Sequence, residues 1–232
     1  MSSRKLTRSI IVGAAAIAVA GGSYGIVSAT SGSGTAAAST SVAAGPVSGG
    51  GGSNARSGPA AGGAAGTVAS VSTSGFRLTT SAGQKVTVKE ASSTTYQKQA
   101  SPASPSAITT GENVLVLGTT SSTTITAAQV TVEPAGNAYT ASSAAVIPFQ
   151  QGTPTTSKQA GQIPANYSQG SGTIVSGTAA TKATEAALAA YPGGVVDRVV
   201  QLSNGDYEVH YIGVNWPHHV FVNQDFKVIG AE

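Results

Sequence analysis

The chain has 232 residues, of which only 9% are charged and 5% aromatic, and its formal net charge of +3 arises from Arg4, Lys5 and Arg8 near the N-terminus. The remaining sequence is neutral overall, which excludes the basic surface that nucleic acids and anionic lipids require. Cysteine is absent, so disulfides, thiolate metal sites and a cysteine-linked lipid anchor are excluded as well.

Residues 1–29 have the organisation of an export segment. A short basic stretch ends at Arg8, and residues 10–29 follow without a charged side chain. Val27-Ser28-Ala29 places compact side chains where a signal peptidase reads, which predicts a signal peptide that is cleaved before Thr30. The alternative is an uncleaved membrane anchor, because about 20 residues that rise about 1.5 Å each can span a hydrocarbon core. In both cases we expect the rest of the chain to be extracytoplasmic, secreted or anchored to the outer face of a bacterial cytoplasmic membrane.

Two low-complexity segments, residues 30–65 and residues 134–172, are predicted to be disordered linkers. The first consists mainly of Ser, Gly, Ala and Thr, and the second contains several Pro, Gln and Ser residues around one apolar patch at residues 146–149. Both have too little apolar surface to offset an ordering cost of about 1–2 kcal/mol per residue. We therefore expect two folded modules, residues 66–133 and residues 173–232, that do not touch each other.

The first module, residues 66–133, consists of short runs rich in Val, Thr and Ile that are separated by turn residues. This pattern predicts strands at residues 66–72, 75–80, 84–89, 113–118 and 124–132. Short antiparallel strands around one small core indicate a small β-barrel. The module resembles an OB-like domain of unknown function from bacterial envelope proteins through the runs Phe76-x-Leu78, Gly83-x-x-Val86-x-Val88, Gly111-x-x-Val114-x-Val116-x-Gly118 and Ile125-x-Ala127-x-x-Val130-x-Val132. That resemblance implies a fold and brings no activity.

The second module, residues 173–232, is predicted to contain one helix and an antiparallel sheet. Residues 178–191 carry small and apolar side chains at helical spacing, and Pro192-Gly193-Gly194 ends the helix. Hairpin turns at Asn204-Gly205 and Gln224-Asp225 separate the strands that follow, which we place at residues 195–202, 207–212, 218–223 and 227–231.

Residues 176–232 resemble the PepSY domain. The resemblance rests on a helix ending in Tyr-Pro-Gly-Gly, a Val-rich strand, the strand Gly-Asp-Tyr-Glu-Val and a final hairpin Val-Phe-Val-Asn-x-x-Phe-x-Val. Asn223 departs from the family, which often has Asp at this position. The resemblance implies a helix on an antiparallel sheet, an extracytoplasmic location and a role in restraining or chaperoning secreted metallopeptidases. The predicted fold class is thus β and α+β: a small antiparallel OB-like barrel, then a one-helix PepSY-like domain, with disordered linkers.

The turn at Asn204-Gly205 predicts which side chains of the second module share a face. A two-residue turn sets Leu202 opposite Tyr207, and pairing Ile212 with His218 carries the register to the next strand. The side with Val200, Leu202, Val209 and Phe221 then packs on the helix through Ala183, Ala187 and Leu188. The other side is predicted to be open and to present Asp197, Val199, Gln201, Glu208, His210, Ile212, His218, Val220 and Val222. We interpret it as a partner surface, and the alternative is an ordinary solvated sheet face.

Six residues are the candidate partner-binding residues, namely Glu208, His210, Trp216, His218, Val220 and Val222. His210 and His218 are expected to be diagonal neighbours, which allows a partner contact, a metal contact or a structural role. Adjacent strand residues point to opposite faces, so His218 and His219 are not expected to chelate together. Trp216 is either a hairpin cap or an interface anchor. From these alternatives we predict partner contacts and no metal or cofactor.

No side chains pair as a general acid and base, so the sequence predicts no catalytic residue and a non-enzymatic protein. The leading hypothesis is an exported monomer whose PepSY-like domain binds or restrains a secreted protein such as a metallopeptidase. The alternative is a structural cell-envelope protein that is tethered at the membrane or binds a wall polymer. Neither hypothesis involves nucleic acid, and only an uncleaved N-terminal segment would contact the membrane.

Overall fold

The structure is a computed structural model that describes residues 58–134, 146–152 and 157–232. The predicted export segment, residues 1–29, and most of the first predicted linker lie outside the described residues. Across the described ranges, none of the helices has the length and apolar character needed to cross a membrane.

Five strands of the first described range form a closed barrel. The strands of this range are β1 (Ala60–Ser72), β2 (Gly75–Thr79), β3 (Lys85–Lys98), β4 (Ser101–Pro102), β5 (Asn113–Ser121) and β6 (Thr124–Val132), with one 3-10 turn at Pro105–Ala107. The barrel closes in the order β1-β2-β3-β6-β5-β1, and β4 pairs only with β3. All barrel pairings are antiparallel except β3 with β6. The predicted small barrel and the positions of its five strands are confirmed, but the prediction that all pairs are antiparallel is wrong for β3 and β6.

Alternating apolar side chains fill the barrel, as the period of two along a strand requires. Its buried core contains Val68, Phe76, Leu78, Val86, Val88, Val114, Val116, Ile125, Val130 and Val132. Val195 belongs to the same core although it lies far along the chain, so the second part of the chain contributes to the core of the barrel.

The second part of the chain adds one helix and eight short strands within the described ranges. These are β7 (Ile147–Pro148), β8 (Ala160–Gly161), β9 (Thr173–Ile174), α1 (Gly177–Ala190), β10 (Val195–Gln201), β11 (Tyr207–Ile212), β12 (Val214–Trp216), β13 (His219–Val222) and β14 (Val228–Ala231). From β1 the sheet continues through β10, β11, β13, β14 and β8, while β12 and β7 form a separate two-stranded sheet. The predicted helix and the four predicted C-terminal strands are confirmed in position, as α1, β10, β11, β13 and β14.

The expectation of two modules that do not touch is wrong. β1 begins at Ala60, inside the predicted linker, and Gly63 pairs with Leu117 of β5 and also with Val196 of β10. A Cβ atom on Gly62 would lie 2.1 Å from the carbonyl oxygen of Val196. The small residues that gave this segment its linker composition therefore allow the backbones of β1, β5 and β10 to pack closely.

The second predicted linker, residues 134–172, is also wrong for its described parts. β7 pairs with β12, and β8 extends the main sheet beside β14. Tyr167 packs edge-on against Phe221 with ring centroids 4.7 Å apart. Polar and Pro-rich composition indicated disorder, but a few apolar and aromatic side chains dock this segment on the sheet.

α1 packs on one face of the extended sheet, yet two strands present different residues to it than predicted. Val199 pairs with Val209, and His210 pairs with His219, so β10 and β13 each differ by one residue from the predicted register. A one-residue slip turns every side chain to the other face. The helix-side core consequently contains Val199, Val209, Tyr211, Val220 and Val222 together with Ala183, Ala187 and Leu188.

The first slip has its cause in the turn. Gly205 N–H donates to the Leu202 carbonyl, Leu202 N–H donates to the Asp206 carbonyl, and Gly205 has a positive φ of 88°. This is a three-residue connection with glycine in the left-handed region, and not the two-residue turn that Asn-Gly favours. In the connection between β11 and β13, residues 213–218, β12 pairs with β7 and not with the main sheet.

Candidate functional site

All three histidines of the chain line one cleft of about 540 Å³ at the face of the sheet that is opposite α1. This histidine cleft is lined by Ser157, Lys158, Gln159, Gln169, His210, Asn215, Trp216, His218, His219 and Glu232. The lining residues come from β11, from β13 and the connection before it, from the residue after β14, and from a segment whose composition had indicated a linker.

His210 is oriented by a carboxylate at a bulge in β10. The register of β10 against β11 shifts between Val196 and Arg198, which leaves Asp197 as the extra residue. A bulge redirects a side chain out of the regular alternation, and Asp197 Oδ1 lies 2.6 Å from Nδ1 of His210. Because an ionised carboxylate only accepts hydrogen bonds, the proton of this bond belongs to Nδ1.

His219 is oriented in the same way by a deeply buried carboxylate. Nδ1 of His219 lies 2.6 Å from Oε1 of Glu208, whose side chain is only 2% exposed. Glu208 Oε2 is buried and has no hydrogen-bond partner among the described residues. A buried carboxylate is costly unless it is paired, so Glu208 holds His219 firmly.

The two anchored imidazoles lie side by side. His210 and His219 are directly opposite each other on β11 and β13, and their ring centroids are 5.2 Å apart with the planes inclined by 67°. Since Nδ1 of each ring faces a carboxylate, Nε2 is the nitrogen that each ring offers to a ligand. The ring of His218 lies 6.5 Å from that of His219, and burial lowers the pKa of His218, which favours its neutral form.

Acidic side chains lie at the bottom of the cleft. Glu232 and the cation Lys158 line it, and Asp197 and Glu208 contact the lining rings of His210 and His219. The nearby cation Arg198 is 4% exposed with Nη1 3.3 Å from Asp197 Oδ2. Burial, and then the negative charges of Glu208 and Glu232, raise the pKa of the neighbouring Tyr167 hydroxyl. Three carboxylates against one guanidinium and the Lys158 ammonium leave one negative charge in excess, which favours positive charge at the cleft, either on the imidazoles or on a ligand.

Trp216 forms a fixed wall of the cleft. Its indole N–H donates to the carbonyl oxygen of Lys158 at 2.7 Å, and Lys158 Nζ lies 4.1 Å from the ring centroid. The Tyr191 ring meets Trp216 edge-on at 5.5 Å. Trp216 is therefore buried within the chain, as the hairpin-cap alternative expects, and is not an exposed anchor.

The predicted candidate residues divide into two groups. Glu208 and His210 share a face with Asp197, as predicted. His210, His218 and Trp216 line the cleft, and Glu208 holds His219, which also lines it. Val220 and Val222 are fully buried in the core against α1, so the prediction that they form an open surface is wrong. The slip of β13 is the reason, because it exchanges them for His219 and Phe221.

Sequence reasoning missed His219, Arg198 and Tyr167 as members of this site. The predicted registers assigned His219 and Arg198 to the opposite face, whereas the slip at the Gly205 turn pairs Arg198 with His210. Tyr167 belonged to a presumed linker. A usable signal existed nonetheless, since all three histidines and three acidic residues fall within residues 197–219 of a chain that is poor in charge.

Within the described ranges, no three His, Cys, Asp or Glu side chains are arranged so that together they could hold a metal ion. Another cleft, about 440 Å³ between the barrel and the start of α1, is lined by uncharged residues such as Gly118, Thr119 and Thr181. The histidine cleft therefore concentrates the ionisable groups. No family model matches this chain, and neither does any curated protein or any solved structure.

Proposed function

We propose that this chain is an exported, non-enzymatic binding protein and that its binding site is the histidine cleft. The observation that carries the proposal is the pair His210 and His219, each fixed by a carboxylate at 2.6 Å and each lining the same cleft. Buried polar networks are expensive to build, and this one directs two imidazole rings toward solvent-accessible space.

The cleft suits a short inserted group better than a broad flat partner. Phe221 and Val200 are fully buried on this side of the sheet, and the segment with Tyr167 covers part of it. A partner thus gains access through the cleft, where Asn215, His218 and Glu232 add polar contacts. We propose a secreted protein, such as a metallopeptidase, that inserts a chain segment there.

The fold supports the two interpretations drawn from resemblance. A five-stranded barrel ordered β1-β2-β3-β6-β5, with one parallel pair, agrees with an OB-like domain. One helix on an antiparallel sheet agrees with a PepSY-like domain. We propose that the barrel serves as the support of the C-terminal part, because β1 and β10 share one sheet.

Retention of secreted proteins by the immobilised full chain tests this proposal. The double variant His210→Ala/His219→Ala is expected to lose the secreted proteins that the wild type retains from the culture fluid of the producing bacterium. The control is Phe149→Ala, because Phe149 is 55% exposed and would account for non-specific adhesion. Circular dichroism establishes that the double variant is folded. Equal retention by the wild type and the double variant, or no retention by either, would contradict the proposal.

A further inference from the structure

We propose that the histidine cleft binds one divalent transition-metal ion through Nε2 of His210 and Nε2 of His219. This inference rests on the proposed function, since it names a ligand of the same cleft, and it adds a metal requirement that partner binding alone does not imply. Zinc is the reference ion, because imidazole nitrogen is among its preferred ligands.

The spacing of the two rings fits a shared ion. Zinc–nitrogen bonds of about 2.0–2.1 Å at a tetrahedral angle place the centroids of two bound imidazoles about 5 Å apart. The centroids of His210 and His219 are 5.2 Å apart. Directly opposite positions on neighbouring antiparallel strands produce this spacing, because Cβ atoms there are about 4.5–5.5 Å apart.

The hydrogen bonds of the rings select the correct nitrogen. A metal-bound histidine typically donates its other ring N–H to a carboxylate, which fixes the tautomer and the ring orientation. Asp197 does this for His210, and Glu208 does it for His219, both at 2.6 Å. Both rings therefore have the protonation pattern of metal ligands before any ion binds.

The charge of the site also favours a cation. Asp197, Glu208 and Glu232 carry three negative charges against the two positive charges of Arg198 and Lys158. Glu208 Oε2 is buried without a hydrogen-bond partner among the described residues. A divalent ion near the two imidazoles offsets this excess. Because no third protein ligand is in place within the described ranges, the ion keeps coordination positions for water or for a donor atom of the partner.

Calorimetric titration of the full chain with zinc chloride tests this inference. We expect one ion per chain, and we expect loss of that site in His210→Ala and in His219→Ala. The carboxylate variants Asp197→Asn and Glu208→Gln should retain the site with an affinity reduced by about 10–100-fold. Magnesium chloride should give no signal, because magnesium prefers oxygen ligands. Background is low, since the chain has three histidines and no cysteine.

The control variant is again Phe149→Ala, which should bind zinc like the wild type. No zinc binding by the full chain, or binding that survives both histidine variants, would overturn the inference. Repeating the partner-retention assay with a chelator separates the two proposals. Retention that depends on the two histidines but resists the chelator supports the partner site and contradicts the metal site. Zinc binding without any retained partner supports the metal site and contradicts the partner site.

Discussion

Replacement of Val220 by aspartate is expected to leave the protein largely unfolded. Val220 is fully buried among Val209, Tyr211 and the side chains of α1. An unpaired carboxylate in this core loses its hydration without gaining a partner, so we expect the free energy of unfolding to fall by more than about 4 kcal/mol. Urea unfolding followed by circular dichroism measures the loss.

Val71→Asp is the matched control for this substitution. Val71 is a strand valine of β1 that is 50% exposed, so the same change should cost no more than about 1 kcal/mol. If Val220→Asp were as stable as Val71→Asp, Val220 would lie on an open face of the sheet, and the register described here for β13 would be wrong.

Replacement of Gly62 by alanine is expected to destabilise the junction between the barrel and the rest of the sheet. The added Cβ would lie 2.1 Å from the carbonyl oxygen of Val196 and 2.9 Å from the hydroxyl oxygen of Thr120. Relief requires a shift of β1 away from β10, and overpacking of this kind costs about 1–3 kcal/mol or more. We expect a lower urea midpoint and faster amide hydrogen exchange at Val195 and Val196.

Gly58→Ala is the control for the junction, because a Cβ on Gly58 meets no atom within 4 Å. We expect its unfolding midpoint to match that of the wild type. Equal stability of Gly62→Ala and Gly58→Ala, with unchanged exchange at β10, would show that β1 and β10 do not share a sheet.

The sequence predicted the elements of this fold better than their pairing. Alternation of apolar side chains located the barrel strands, and Pro192 with its following glycines ended the helix where α1 ends. Strand period alone could not set the register, because Val199 and Val200 are equally suited to the core. The turn at Gly205 and the bulge at Asp197 decided it, and both depend on tertiary context.

Composition was misleading where small residues have a packing role. Gly62 and Gly63 belong to a tract that resembles a flexible linker, yet the close approach of β1, β5 and β10 excludes larger side chains there. The unknown register and the misleading composition also affected the prediction of the candidate site. Glu208 and His210 were found because β11 was assigned to the correct faces, whereas His219 was lost with the register of β13, and Tyr167 was lost with the presumed linker.

Both proposals depend on one arrangement, in which Asp197 and Glu208 hold Nδ1 of His210 and His219 and leave Nε2 of both rings to the cleft. Long-range proton–nitrogen correlation spectra of the ¹⁵N-labelled full chain near neutral pH test it directly. We expect a proton on Nδ1 of both histidines and a nuclear Overhauser contact between their rings, whose centroids are 5.2 Å apart. Neutral rings that carry their proton on Nε2, or rings without mutual contact, would contradict it.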